Sequence, residues 1–345
     1  MNNKRISTGL IGFGLAGANF HAPFIEHHPG FRLSKVMSSR VDDIKARYPD
    51  VDVVATISEI LDDKTIELVV IATPTDTHFA LAKAALESGK HVVVDKPFVL
   101  NADEAKVLIA LAKERKKQLF VYQNRRFDGD FMTVKKLISD KQLGSLYSFE
   151  SHFDRFRPEV NVAKWREQDK PGSGLLYDLG SHLIDQALNL FGRPEWIFAD
   201  ITAQRPSASV DDYFHLLLGF GSFRAILHAG SVVKAQTPRF VVHGDKGSFI
   251  KYGLDPQEDR LRAGLTPDMA IGKEGEEAYG VLDVHENKQK LPTIAGDYRL
   301  FYQGVYDSIE KQASAPVSPN EALLLSEVID AAILSAKQGR VVFLS

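Results

Sequence analysis

A glycine-rich turn near the start of the chain constrains the fold more than any other feature of the sequence. It follows the apolar run 8–11, precedes a stretch with helical spacing, and reads Gly12, Phe13, Gly14, Leu15, Ala16, Gly17. In such a GxGxxG motif the first glycine allows a tight strand-to-helix turn, the second lets a pyrophosphate approach the backbone, and the third lets helix and strand pack closely. The motif therefore predicts a dinucleotide site, with Leu15 and Ala16 in the same loop. A chain with 25 glycines can also contain this spacing by chance, so an ordinary tight turn is the alternative interpretation.

Composition excludes several classes of function. The 345 residues suffice for two domains, and 44% hydrophobic with 25% charged residues is typical of a globular protein. A net charge of −3 argues against nucleic acid as a partner. The absence of cysteine excludes disulfides, a thiolate nucleophile and cysteine-ligated metal sites.

The hydropathy pattern argues against a membrane protein. No apolar run approaches the ~20 residues that span a bilayer. Residues 1–5 are basic and precede an apolar stretch, as in a signal peptide, but that stretch is better explained as the first strand and its glycine turn. We therefore expect a cytoplasmic location.

Strand-like and helix-like segments alternate over residues 1–122. Strand-like runs cover residues 31–38, 51–55, 67–72, 91–94 and 118–122, and helical spacing covers 78–88 and 102–115. The run 67–72 is almost wholly apolar, as expected of a parallel strand that is buried on both faces. The alternation predicts an α/β fold with an N-terminal doubly wound parallel sheet of the Rossmann type.

Beyond residue 145, strand-like segments follow one another with turn signals between them and one long helix among them. They cover residues 146–157, 196–204, 213–220, 223–230, 239–244 and 248–252. This pattern predicts a C-terminal α+β domain with an open, mostly antiparallel sheet. We expect domains at 1–122 and 123–345, a long loop at 254–292, and a helix at 321–337 that can pack back on the first domain.

The end of the second strand predicts which dinucleotide binds. An NAD site places a carboxylate there to accept from the ribose 2′-hydroxyl, whereas this strand ends in Ser39 and Arg40, with no carboxylate before Asp42. A hydroxyl and a guanidinium suit the 2′-phosphate, so NADP is favoured over NAD. The alternative is that Arg40 simply begins a solvated turn.

Two further loops follow buried strands, at the carboxyl ends where α/β sheets bind ligands. One contains Thr73, Pro74 and His78, and the other contains Asp95 and Lys96. A lysine at the end of a buried strand faces the crevice and can contact both nicotinamide and substrate. An ordinary surface lysine is the alternative.

A helical segment in the second half carries groups suited to proton transfer. Asp178 and His182 are four residues apart and share one helix face, which Asp185 continues. A carboxylate that orients an imidazole is a common general acid–base arrangement near neutral pH. A local ion pair is one alternative, and a metal site completed by a third ligand is another.

The alternation of side chains along the strand 146–157 suggests substrate contacts. It places Glu150, His152 and Asp154 on one face, where they could bind hydroxyl groups. The same pattern would arise from plain exposure to solvent.

Taken together, the glycine motif, the Asp-Lys-Pro sequence and the Asp-x-x-x-His helix resemble the Gfo/Idh/MocA oxidoreductase family, and in particular its NADP-dependent scyllo-inositol dehydrogenases. The similarity runs over essentially the whole chain and is carried also by residues 20–23, 122–126, 152–158, 165–167 and 251–258. The family usually has Glu-Lys-Pro, so Asp95 is a departure that shortens one side chain and leaves Lys96 in place.

The resemblance implies a function and a set of site residues. It implies hydride transfer between NADP and a secondary alcohol of a cyclic polyol or sugar, with an inositol as the expected substrate. It implies Lys96, Asp178 and His182 as the catalytic group, adds Asn124 at the cofactor and Trp165 at the substrate, and implies a homodimer or homotetramer paired through the open sheet. No metal is expected. A non-catalytic NADP-binding sensor is the rival interpretation, since fold does not imply function, and a metal-dependent hydrolase is a distant third.

Overall fold

The computed structural model describes residues 5–267 and 270–344. Residues 1–4, from the basic start of the chain, and residues 268–269, from the predicted loop 254–292, lie outside the described residues. The strands are β1 (Ile6–Ile11), β2 (Phe31–Met37), β3 (Asp52–Val54), β4 (Leu68–Ile71), β5 (His91–Asp95), β6 (Leu119–Tyr122), β7 (Leu146–His152), β8 (Trp196–Thr202), β9 (Tyr213–Phe220), β10 (Phe223–Gly230), β11 (Phe240–Gly244), β12 (Gly247–Lys251), β13 (Gly280–Val284), β14 (Asn287–Leu291) and β15 (Val342–Phe343).

Helices of three types connect these strands. The α-helices are α1 (Ala22–His27), α2 (Val41–Arg47), α3 (Ser58–Leu61), α4 (His78–Glu87), α5 (Ala102–Glu114), α6 (Gly129–Ser139), α7 (Ser181–Phe191), α8 (Gln257–Arg262), α9 (Arg299–Lys311) and α10 (Pro319–Gln338). Gly17–His21 and Leu176–Gly180 are π-helical, and short 3₁₀ turns occur at Thr75–Thr77, Asn124–Phe127, Trp165–Glu167 and Glu276–Ala278.

The chain forms two compact units, and each takes segments from more than one part of the sequence. The first unit consists of Met1–Asn124, Gln257–Ile271 and Asp297–Leu323, and the second of Arg125–Pro256, Gly272–Gly296 and Leu324–Ser345. This division differs from the single boundary expected after residue 122, because α8 and α9 belong to the first unit. In particular, α9 buries Phe301, Tyr302 and Val305 there, and the Tyr302 ring stacks on Phe24 of α1.

The first unit contains the predicted Rossmann sheet. Its six strands lie in the order β3-β2-β1-β4-β5-β6, and every pairing is parallel. All four residues of β4 are buried, as expected of a strand covered on both faces. The strand order reverses between β1 and β4, and ligands of such sheets bind outside the carboxyl ends at this point.

The second unit contains the predicted open sheet. Its nine strands lie in the order β14-β13-β12-β11-β7-β10-β9-β8-β15, and only the β7–β10 pair is parallel among the pairings of the described residues. One face packs on α7 and α10 in a core that includes Phe149, Leu183, Phe214 and Leu227. The opposite face carries side chains that are only partly buried.

Two expectations for the second half of the chain differ from the structure. Residues 254–292 are not one loop, because they include α8 and the hairpin β13–β14 that extends the sheet. β14 has the sequence NKQKL and is exposed along most of its length, so it lacks the apolar alternation that predicts strands. The helix expected at 321–337 exists as α10, and its Leu325, Val328 and Ile329 join the core of the second unit. Among the described residues, no helix is both long and apolar enough to cross a bilayer.

Candidate functional site

The glycine turn has the geometry that a dinucleotide requires. Gly12 has φ +96°, where a side chain is strained, and a Cβ there would lie 2.6 Å from the carbonyl oxygen of Ala72. A Cβ on Gly17 would clash with the carbonyl of Gly12, whereas a Cβ on Gly14 would meet nothing within 4 Å. Gly14 therefore borders open space at the carboxyl end of β1, which fits the close approach of a pyrophosphate.

The helix after this turn is less regular than the motif suggests. Leu15, which is exposed, and Ala16 are already helical, and they lead into the π-helical Gly17–His21 before α1 begins. The π-helical turn buries the imidazole of His21 inside the unit. The sequence pattern gave no signal for it, because a segment of five residues is too short to show its own periodicity.

The hydroxyl and the guanidinium predicted at the end of β2 belong to Ser39 and Arg40. Ser39 and Arg40 are exposed, and the Arg40 guanidinium donates from Nη1 to the carbonyl oxygen of Phe13 at 2.9 Å. This contact places Arg40 directly beside the glycine turn. The Arg40 guanidinium also forms an ion pair with the carboxylate of Asp43.

The loops after β4 and β5 are tied together through His78. Its buried ring lies 2.9 Å from the carbonyl oxygen of Thr73 through Nε2 and 2.9 Å from that of Pro97 through Nδ1. Thr73 also bonds to Thr77, whose hydroxyl donates to the carbonyl of Pro74. His78 thus fixes the two loops relative to each other.

Asp95 and Lys96 end β5 in different environments. Asp95 is buried, while Lys96 is partly exposed and is joined to Pro97 by a cis peptide bond. Burial by itself raises the pKa of the Asp95 carboxyl, but the neighbouring His21, Lys96 and His78 hold that pKa below its usual value. Asp95 is therefore an anion directly beside Lys96.

His21 and Tyr302 extend this buried polar group, and the sequence did not single them out as site residues. His21 Nε2 lies 3.6 Å from Asp95 Oδ1, and its Nδ1 lies 2.7 Å from the hydroxyl of Tyr302. Burial raises the pKa of Tyr302 well above its usual value, so this phenol is neutral. The resemblance of residues 20–23 to the family was the one available signal for His21. Asn124, the last residue of the first unit's opening segment, is also buried and begins the turn after β6.

Asp178 and His182 lie on consecutive helical segments in the second unit. Asp178 belongs to the π-helical Leu176–Gly180, and His182, which is buried, to α7. Asp178 Oδ1 lies 3.1 Å from Nε of Arg166, and Oδ2 lies 3.8 Å from Nη1 of Arg155. The carboxylate thus has two cationic neighbours that the helix pattern alone did not indicate.

Trp165 is connected to Asp178 through its neighbour. The guanidinium carbon of Arg166 lies 5.1 Å from the centre of the Trp165 indole ring, within the range of a cation–π contact. Arg166 also accepts through its carbonyl from Gly174 N, just before the π-helical segment. Trp165 and Asp178 therefore belong to one local cluster.

Asp211 anchors the start of the same helical segment. Its carboxylate accepts from Leu176 N at 2.7 Å, and its carbonyl accepts from Leu175 N at 2.9 Å. Burial raises the pKa of the Asp211 carboxyl to about 6, although the backbone N–H donors partly oppose this shift.

Asp185 was expected to continue the helix face of Asp178 and His182. In the structure it forms a buried two-point ion pair with Arg126, at 2.8 and 2.7 Å.

His152 and Asp154 lie together at the end of β7. The strand ends at His152, earlier than expected, so Asp154 lies just beyond it. Asp154 accepts from Gly230 N at 3.0 Å and from the hydroxyl of Thr237 at 2.7 Å, and His228 Nδ1 lies 2.8 Å from its Oδ1. Burial opposes ionisation of Asp154, but these donors and the two imidazoles hold its pKa below the usual value. Neither His228 nor Thr237 was signalled by the sequence.

The same side chains line a cleft in the second unit. The cleft has a volume of about 280 Å³, and its polar lining includes His152, Asp154, Arg155, Gln236 and Thr237. Because Arg155 also contacts Asp178, the cleft and the Asp178 cluster are adjacent.

The geometry also bears on the metal interpretation. The ligand atoms of His152, Asp154 and His228 lie within 4.8 Å of one another. Among the described residues, this group does not include Asp178 or His182.

Comparison with known proteins gives consistent matches over the whole chain. A family model described as "Oxidoreductase family, NAD-binding Rossmann fold" matches residues 6–123, and one described as "Oxidoreductase family, C-terminal alpha/beta domain" matches residues 135–344. The chain is 42% identical to scyllo-inositol 2-dehydrogenase (NADP(+)) IolW of Bacillus subtilis, over 98% of this chain and 96% of that protein. It is 45% identical to the uncharacterized oxidoreductase YdgJ of Escherichia coli, over 97% of each protein.

Solved structures match equally well. The Bacillus subtilis protein yvaA superposes with a TM-score of 0.97 at 41% identity, with 100% of each chain covered. An oxidoreductase structure from Klebsiella pneumoniae has a TM-score of 0.92 at 41% identity, covering 100% of this chain and 96% of the other.

Proposed function

This chain belongs to the Gfo/Idh/MocA oxidoreductase family, and we propose that it is an NADP-dependent dehydrogenase acting on a secondary alcohol of a cyclic polyol or sugar. The observation that carries the cofactor preference is the exposed guanidinium of Arg40 beside the glycine turn, where an NAD site has a carboxylate. The proposed substrate is scyllo-inositol or the matching inosose, ahead of myo-inositol. This choice rests on the 42% identity to the Bacillus subtilis scyllo-inositol 2-dehydrogenase.

The cofactor, when bound, supplies the hydride acceptor or donor at its nicotinamide ring. In the proposed cofactor site, the glycine turn from Gly12 to Gly17 would hold the pyrophosphate, and Ser39 and Arg40 would hold the 2′-phosphate. The loops of Thr73, Pro74, His78 and Asp95 and the buried Asn124 would hold the nicotinamide half.

Three residues have proposed catalytic roles. His182 takes or returns the proton of the reacting hydroxyl, since imidazole titrates near neutral pH. Lys96 donates a hydrogen bond to the reacting oxygen and stabilises developing alkoxide charge. Asp178 orients the imidazole and stabilises its charged form, while Arg166 and Arg155 hold the carboxylate in place.

The substrate contacts are proposed from the cleft of the second unit. His152 and Asp154 line the cleft, and the Thr237 hydroxyl donates a hydrogen bond to the Asp154 carboxylate. These side chains offer several donors and acceptors to an uncharged polyol. Trp165 provides an apolar surface beside the Asp178 cluster. A site that pairs each hydroxyl rejects an analogue lacking one by about 10⁴-fold, because buried polar groups are left unpaired.

A substrate panel tests the proposal. Purified protein is assayed for NADPH formation with scyllo-inositol, its deoxy analogues, myo-inositol and D-glucose, and His182→Ala serves as the inactive control. We expect the highest kcat/KM with scyllo-inositol. Activity on an aldose but on no inositol would contradict the proposed substrate and leave the proposed dehydrogenase activity intact. Tight NADP binding without turnover of any polyol or keto-sugar would favour the sensor, and loss of activity on chelation would favour metal chemistry.

A further inference from the structure

A second arginine lies beside Arg40 at the end of β2, and the sequence motif did not single it out. The guanidinium carbon of Arg40 lies 5.8 Å from the ring centre of Phe13, and that of Arg47 lies 5.9 Å from the same ring. Arg47 is the last residue of α2, the helix that follows β2. Two cations therefore share one aromatic ring that is itself part of the glycine turn.

The Asp43 carboxylate forms ion pairs with both arginines. Its Oδ1 lies 3.0 Å from Nε of Arg47, and its Oδ2 pairs with Nη2 of Arg40. The side chains of Arg40 and Arg47 are 50% and 44% exposed, and that of Asp43 is 30% exposed. Ion pairs with this exposure are weak, so an external anion can replace the carboxylate at small cost.

The two arginines form a site for an anion, and in this structure the Asp43 carboxylate binds to it. A phosphate monoester carries about −1.5 to −2 charges and three strong acceptor oxygens, which guanidinium groups bind in a two-point manner. Asp43 supplies one negative charge and two acceptors in the same position between the two guanidinium groups. The phosphate is therefore the better partner for both arginines.

We propose that Arg47 and Phe13 complete, with Arg40, the binding site for the 2′-phosphate of NADP, and that Asp43 competes with this phosphate from within the protein. The inference rests on the proposed NADP dependence. It adds a specificity-determining residue, Arg47, and an opposing one, Asp43. Phe13 keeps the two guanidinium groups next to the turn through its ring and, for Arg40, through its carbonyl.

The proposal predicts opposite effects for the two charged residues. Arg47→Ala removes a charge-assisted contact to the phosphate and should weaken NADP binding about five- to fifty-fold, with NAD binding changed less than about two-fold. Asp43→Asn removes the competing anion and should tighten NADP binding about two- to ten-fold, again with little effect on NAD. Arg40→Ala should weaken NADP binding about ten- to hundred-fold.

The experiment is equilibrium titration of the full-length wild type and each variant with NADP, NAD and 2′,5′-ADP. Lys45→Ala is the matched control, because it removes a positive charge from the same helix and the Lys45 ammonium donates to the carbonyl oxygen of Pro49. Circular dichroism checks folding, and Arg47→Gln is the second variant, since it keeps a polar side chain in place. Raising the ionic strength should reduce the preference for NADP, because screening weakens exposed charge interactions.

The outcomes separate this inference from the proposed cofactor. Equal wild-type affinities for NADP and NAD would overturn the NADP assignment itself. A wild type that prefers NADP, with Arg47→Ala and Arg47→Gln binding it as well as Lys45→Ala does, would overturn the role of Arg47. Weaker binding of both dinucleotides by Asp43→Asn would show that Asp43 only supports the helix.

Discussion

At the scale of single residues, His182 is the side chain on which the proposed chemistry depends most directly. His182→Ala removes the proton acceptor, so turnover of scyllo-inositol should fall about 10²–10⁴-fold. NADP affinity should stay within about two-fold, because His182 lies in the second unit and the glycine turn in the first. Steady-state kinetics and NADP titration measure the two effects. Near-normal turnover would mean that His182 is only a buried structural histidine.

Asp211 allows a pH test of the anchor below the Asp178 segment. A carboxyl whose pKa is raised to about 6 favours the protonated form in the folded state. Its contribution to stability is therefore complete below the unfolded pKa of about 4 and is lost as the pH rises through about 6. Asp211→Asn cannot ionise. The free energy of unfolding of the variant, relative to wild type, should thus rise by about 1–3 kcal/mol between about pH 4 and pH 8.

Urea unfolding at several pH values measures this difference for Asp211→Asn. Asp63→Asn is the control of opposite sign, because hydrogen bonds from Lys35 and Thr65 hold the pKa of the Asp63 carboxyl below its usual range. Its stability relative to wild type should fall, not rise, as the pH increases. A pH-independent difference for Asp211→Asn would contradict the raised pKa.

At the scale of elements, the chain's apolar runs predicted β1 to β6, and the signal is strongest for strands such as β4 and β6, in which every residue is buried. The hairpin β13–β14 was missed because its residues alternate weakly at an exposed end of the sheet. The π-helical turn before α7 was also beyond sequence reasoning. Asp178 and His182 were correctly assigned to one helical stretch, but the arginines around Asp178 come from residues 12 and 23 positions earlier, and no local pattern reveals them.

The buried pair between Arg126 and Asp185 is another contact that sequence spacing could not reveal, because 59 residues separate its members. It ties α7 to the turn Asn124–Phe127. Asp185→Ala leaves a buried guanidinium without its anion and should lower the free energy of unfolding by about 3–5 kcal/mol. Replacing both residues by apolar ones of similar size should cost much less.

Chemical unfolding of Asp185→Ala is compared with that of Glu327→Ala in the same unit. Glu327 pairs with Arg193, but the two side chains are 26% and 43% exposed, so this pair should contribute less than about 1 kcal/mol. Equal losses for the two variants would contradict the distinction between the buried and the exposed pair.

At the scale of the whole molecule, both sheets and their strand directions could be predicted, but the division into units could not. Segments far apart in sequence, such as α1 and α9, join one unit because their apolar side chains pack together, and a single boundary in the sequence cannot describe such a unit. For the candidate site, the sequence predicted roles for the glycine turn, Arg40, Lys96, Asp178 and His182, and these remain predictions. It did not single out His21, Arg47 or His228, because the contacts of these residues with Asp95, Phe13 and Asp154 arise only when distant segments fold together.

The open face of the second sheet is the proposed surface for self-association. Side chains facing away from α7 form a cross-strand row, in register, of Phe198, Leu217, Ile226, Glu150, Val241, Ile250 and Val281. All but Glu150 are apolar, and Phe198 is 36% exposed. A largely apolar row of this kind, with Glu150 at its centre, is typical of a surface that another copy of the chain covers.

Leu217→Lys places a charge between Phe198 and Ile226, its apolar neighbours in the row, and should convert a homodimer or homotetramer into a smaller species, because an unpaired buried charge is costly. Sedimentation velocity measures the change, with Val107→Lys on the exposed side of α5 as the control for an added charge. A wild type that sediments as a monomer, or a Leu217→Lys variant that keeps the wild-type assembly, would place self-association elsewhere or remove it.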